Sequence, residues 1–126
     1  RDQPRSRGLG DVYKRQEKGC ISIIKRHFPG CEIVNPKDLC FDDFSEYLRI
    51  VEQCDILVYK RWNGYITAGV AKEIEHALKC GKEVYEIRGL ELVKVTKLDK
   101  ERTLTLDETR MAYSINFDDF EAMMGV

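Results

Sequence analysis

Apolar residues in the first third of the chain fall at helical spacing. Cys20, Ile21, Ile24 and Phe28 recur at intervals of three and four, and "PG" at 29–30 ends that helix. "CEIVNP", residues 31–36, is a short apolar run closed by Pro36 and predicts a buried strand. "DFSEYLRIVEQC" places Phe44, Tyr47, Leu48 and Val51 on one helical face. "DILVYK", 55–60, is apolar enough for a strand covered on both faces of a parallel sheet. A loop over 61–68 then leads to a helix from about Gly69 to Cys80. Gly81 stops that helix, and "EVYEIRG" forms a third strand.

Helix and strand alternate three times, the pattern of an α/β fold with a parallel sheet. The expected architecture is a three-layer, flavodoxin-like (Rossmann-like) domain. Because the alternation begins with a helix, the strand before it is expected to be missing. The tail breaks the pattern. "LELVKVTKLDKERTLTLDE" predicts two strands joined around Asp99 and Lys100 as a β-hairpin. "NFDDFEAMMGV" predicts a short terminal helix capped by Asn116.

The segment before all this, "RDQPRSRGLGDVYKRQ", has no apolar periodicity and is rich in Arg, Gly and Asp. It resembles translated sequencing-adapter read-through. Residues 1–16 are therefore set apart as a non-native or disordered leader, and residues 17–126 as one domain.

Composition narrows the function. The chain has 126 residues and a net charge of −1, with acids and bases interspersed. Nucleic-acid binders carry a basic face, so a nucleic-acid partner is not expected. No apolar run approaches the roughly 20 residues of a membrane span, and no signal-peptide pattern follows the basic start. Five cysteines with no CxxC pair fit reduced thiols in a cytoplasmic protein. With only His27 and His76 present, no metal site and no cofactor are expected, and His76 is placed on a solvated helix face.

Ligands of open parallel sheets bind beyond the C-terminal ends of the strands. Three segments converge there: Asn35 with Pro36, residues 60–65, and the end of 83–89. In the helix after the glycine loop, Val70, Ile74, Ala77 and Leu78 form the buried stripe. Glu73 is expected in the first turn, on the flank of the stripe and facing the crevice. Ala68, Gly69 and Ala71 would leave room beside it. Each of these features also has an ordinary role. A first-turn glutamate favours the helix dipole, loop glycines supply positive φ, and Asp55 sits at a helix-to-strand junction.

"CDILVYKRWNGYITAGVAKEIEHALKCGKEVYEI" resembles the core of the nucleoside 2-deoxyribosyltransferase-like superfamily. Gly69, Glu73, Ile74, Ala77, Gly81, Lys82 and Val84 match its G-x-x-x-E-[IL], alanine and GK-x-V elements in order, and the similarity spans about residues 20–88. The resemblance implies cleavage or transfer at the N-glycosidic bond of a (deoxy)nucleoside or nucleotide. Glu73 would be the nucleophile that forms a glycosyl ester, and Asp55 the acid that assists the leaving base. Asn35, Asn63, Gly64, Tyr65, Thr67 and Gly69 would contact substrate, and a homodimer or larger assembly is implied. Two departures stand out: Thr67 occupies a position where the family often has an acid, and the family's first strand is not recognisable. The alternative is a non-catalytic module of the same fold that binds or senses a nucleotide-like ligand. A subunit serving assembly alone is a third class.

Overall fold

The computed structural model describes residues 11–15, 20–34 and 44–124. These form a mixed α/β structure around a five-stranded sheet. In chain order the elements are β1 (Asp11–Arg15), α1 (Cys20–His27), β2 (Glu32–Val34), α2 (Phe44–Gln53), β3 (Ile56–Tyr59), α3 (Ala68–Lys79), β4 (Glu83–Arg88) and β5 (Glu91–Val95). A 3-10 turn (Lys100–Arg102), α4 (Leu106–Ser114) and α5 (Phe117–Met123) complete the chain.

The sheet order is β2-β1-β3-β4-β5. The first four strands are mutually parallel and β5 pairs antiparallel with β4. The place between β2 and β3, where a missing strand was expected, is occupied. Asp11–Arg15 pairs there with β2 through Val12 and Ile33, and with β3 through Val12 and Ile56. This interior strand thus comes from within residues 1–16, the segment set apart from the domain. A two-sided parallel strand is held by backbone hydrogen bonds along both edges. Five residues with Val12 and Tyr13 suffice for that without any long apolar pattern.

Alternation along β3 divides the core in two. Ile56 and Val58 meet Ile23, Ile24, Cys31 and Ile87 on the α1 side. Leu57 and Tyr59 meet Val51, Val70, Ile74, Ala77 and Val84 on the side of α2 and α3. Gly30 and Gly81, at φ of 81° and 76°, reverse the chain after α1 and α3 as the sequence predicts.

The tail departs from the expected hairpin around Asp99 and Lys100. The hairpin present is β4–β5, which turns at Gly89 and Leu90. Residues 100–102 form the 3-10 turn, and "LDETRMAYS" is helical. A capping box starts this helix: the Thr105 hydroxyl accepts from the Glu108 amide while the Glu108 carboxylate accepts from the Thr105 amide. Asn116 caps α5 as expected, its side chain accepting from the Asp119 amide at 2.9 Å. Together α4 and α5 close a third cluster, in which Phe120, Leu104 and Ala112 pack on Tyr65.

Candidate functional site

The sheet end that the fold rule singles out is built by register. Tyr59 and Glu86 are partners across β3 and β4, so their side chains leave the sheet on one face. The Tyr59 hydroxyl donates to Glu86 Oε1 at 2.7 Å. Arg61, two residues on, donates its Nε–H to the same oxygen at 2.8 Å. Arg88, two residues beyond Glu86, donates its Nε–H to Oε2 at 2.6 Å. Arg61 also pairs with Asp99 at 3.0 Å and donates to the Gly64 carbonyl at 3.3 Å. The Glu86 carboxylate, 3% exposed as a residue, is thus held by three donors. Such saturation is what a buried charge requires.

The titration of these groups reflects the same balance. Burial alone would raise the Glu86 carboxyl. Hydrogen bonds from Arg88, Arg61 and Tyr59, with the charge of Arg61, outweigh it and hold the group below its ordinary value. The Tyr59 hydroxyl is pushed well up by burial, and then by its bond to the carboxylate. For Arg61, burial works against the charge, but the bonds to Glu86 and Asp99 prevail and raise it.

Above this floor lies a cleft of about 280 Å³, walled by the 94–97 stretch and Asp99. Four cationic side chains line it, Arg61, Arg88, Lys94 and Lys97, against the two carboxylates of Glu86 and Asp99. The Arg88 side chain is 58% exposed. Among the described residues Lys94 and Lys97 form no ion pair. A hydrogen-bonded floor with exposed cations at the mouth suits a small anion such as a phosphate or carboxylate group.

The residues expected from sequence are distributed differently. Glu73 lies in the second turn of α3, because the helix begins at Ala68. It falls within the buried stripe with Val70, Ala71, Ile74 and Ala77, not on its flank, and its exposure is 0%. Ala68, Gly69 and Ala71 do line a groove of about 600 Å³ toward Phe44 and residues 103–106, but Glu73 does not line it. Asp55 precedes β3, where its carbonyl accepts from the Glu83 amide at 3.3 Å. That is the opposite end of the strand from the cleft, about 3.3 Å away per residue of strand.

The glycine loop is a tight turn. Trp62 and Tyr65 exchange backbone hydrogen bonds of 2.8 and 2.9 Å across Asn63 and Gly64. Both turn residues have positive φ, 48° and 87°, as a two-residue hairpin turn demands. Asn63 and Gly64 sit exposed at its tip. Tyr65 is a core residue, packed among Trp62, Phe117 and Phe120 with the Arg102 guanidinium over its ring at 4.5 Å. Thr67 is buried at the start of α3, and the Thr109 hydroxyl of α4 accepts from the Ala68 amide at 2.9 Å. Asn35 lies outside the described residues.

The sequence reading passed over Glu86, Arg88 and Arg61. The signal was available, since Glu86 shares the inward parity of Val84 on a strand covered by α3. His76 is half-buried on the side of α3 that meets α2, where its Nε2 lies 2.6 Å from the solvent-exposed Glu52 carboxylate.

No protein-family profile, no curated protein and no solved structure matches this chain. Among the described residues no helix is long and apolar enough to cross a membrane.

Proposed function

We propose that this chain is a ligand-binding α/β module that takes a small phosphate-bearing molecule of the nucleotide class. The observation that carries the reading is the cleft over Tyr59 and Glu86, lined by four cationic side chains at the C-terminal ends of two parallel strands. Arg88, Lys94 and Lys97 would meet the phosphate, and Arg61, fixed by Glu86 and Asp99, would set its orientation. Glu86 holds three donors and is a positioning group, not a nucleophile. A volume near 280 Å³ takes the phosphate and part of a sugar, with the base outside. The flavodoxin-like assignment belongs to this reading. It is supported by the strand order and by helices on both faces of the sheet. The test is competition: inorganic phosphate should displace a bound nucleoside monophosphate, and Arg88→Ala should weaken both by roughly tenfold or more.

One observation favours an enzymatic reading, N-glycosidic bond cleavage or transfer through Glu73. A fully buried glutamate is rare, acids at functional sites are often buried, and Glu73 is fully buried. Asp55 is the acid of that reading and stands at the start of β3, at the other end of the strand from the Tyr59–Glu86 cleft. Release of free base from a nucleoside, abolished in Glu73→Gln, is the corresponding test.

A further inference from the structure

Away from the cleft, α2 and α3 bring three side chains of different chemistry to one point. Glu52 Oε2, His76 Nε2 and Cys80 Sγ all lie within 4.8 Å of one another. His76 lies in the last turns of α3 and Cys80, four residues on, caps its C-terminus, so both project on one side of the helix end. Glu52 approaches from α2. His76 Nε2 is 2.6 Å from the Glu52 carboxylate and 3.8 Å from the Cys80 sulfur. The His76 side chain is 24% exposed and Glu52 50%, so the cluster is open to solvent on one side.

We infer that Glu52, His76 and Cys80 form a zinc site joining α2 to α3. A tetrahedral ion with bonds of about 2.0–2.3 Å holds its ligand atoms roughly 3.4–3.6 Å apart. At 3.8 Å the sulfur-to-nitrogen pair must close by about 0.2 Å, and the sulfur-to-oxygen pair, within 4.8 Å, closes with it. The nitrogen-to-oxygen pair must open by less than an ångström, as the ion replaces the proton between them. One nitrogen, one sulfur and one oxygen donor suit a borderline ion such as Zn²⁺, and do not suit the oxygen-only preference of Mg²⁺ or Ca²⁺. On binding, the Cys80 thiol gives its proton to solvent. The His76 ring keeps one proton, on Nδ1, so that Nε2 can coordinate. Water completes the fourth position on the open side, the arrangement of three-ligand zinc sites.

Titration with Co²⁺ under reducing conditions tests this, because a cobalt–thiolate bond gives a charge-transfer band. The band should saturate at one ion per chain and bleach on addition of Zn²⁺. It should vanish in Cys80→Ser, an exposed position at the helix end where the fold is not at risk. His76→Ala and Glu52→Gln should each weaken the metal by on the order of tenfold or more. Zn²⁺ should raise the melting temperature of the unsubstituted protein and leave that of Cys80→Ser unchanged. A missing band, or one that survives in Cys80→Ser, would mean that the cluster is an interhelical hydrogen bond with a bystander thiol, and would overturn the proposal.

Discussion

Tyr59 and Glu86 face each other across two parallel strands, joined by a 2.7 Å hydrogen bond from hydroxyl to carboxylate. Their pairing fixes the floor of the cationic cleft. Tyr59→Phe removes one of three donors to a buried charge without changing shape. It should cost about 1.5–3 kcal/mol in equilibrium denaturation, against little at an exposed tyrosine such as Tyr113.

Glu86 also predicts an acid sensitivity. Its carboxyl is held below the ordinary value of 4.5, so it stabilises the fold above that value. This contribution is lost as pH falls from 4.5 through the lowered value. Denaturant midpoints measured in steps across that range should fall for the unsubstituted chain. Glu86→Gln, less stable at neutral pH because Arg61 and Arg88 lose their carboxylate, should show a flatter profile.

The turn before α3 makes a separate prediction. Gly64 has a φ of 87°, and a Cβ there would come within 3.3 Å of the Arg102 guanidinium. Gly64→Ala should destabilise by about 1 kcal/mol or more, while Asn63→Gly should be nearly neutral. Equal effects at the two positions would count against the two-residue turn.

How much of this was legible in the sequence follows from the length of each signal. The periodicity of α2 and α3 and the apolar run of β3 mark the central elements clearly. β1 is five residues with no apolar pattern, placed by backbone pairing with chain that lies about twenty and forty residues away. In the tail, the alternation of Thr and Leu over residues 103–106 imitates a strand. Thr105 and Glu108 carried the opposing signal, a capping box, and local capping won. The loop glycines were read as space for a ligand, yet "NG" between Trp62 and Tyr65 is a hairpin-turn signal. The cleft was invisible for another reason. Arg61, Glu86, Arg88 and Asp99 come from three segments that only the strand register and the 96–99 crossing bring together.

Loss of the capping box supplies a further check on the tail. Thr105→Ala leaves the first-turn amides of α4 without their acceptor and should cost about 1 kcal/mol. Because α4 also supplies Thr109 to the start of α3, hydrogen exchange should quicken at Ala68 as well as within α4.

Assembly is open to a direct mass measurement. The homodimer or larger assembly implied by the family resemblance predicts a sedimentation mass that rises with concentration to at least twice 14.7 kDa. A constant monomer mass would contradict it.

The central claim is that the cleft over Tyr59 and Glu86 recognises a phosphate. Calorimetric titration of the unsubstituted chain with a nucleoside 5′-monophosphate, and with the same nucleoside lacking phosphate, tests it most directly. The monophosphate should bind at one site per chain, at least tenfold more tightly than the nucleoside, with the advantage shrinking as salt is raised. Equal affinity for the two compounds, or no binding of either, would contradict it.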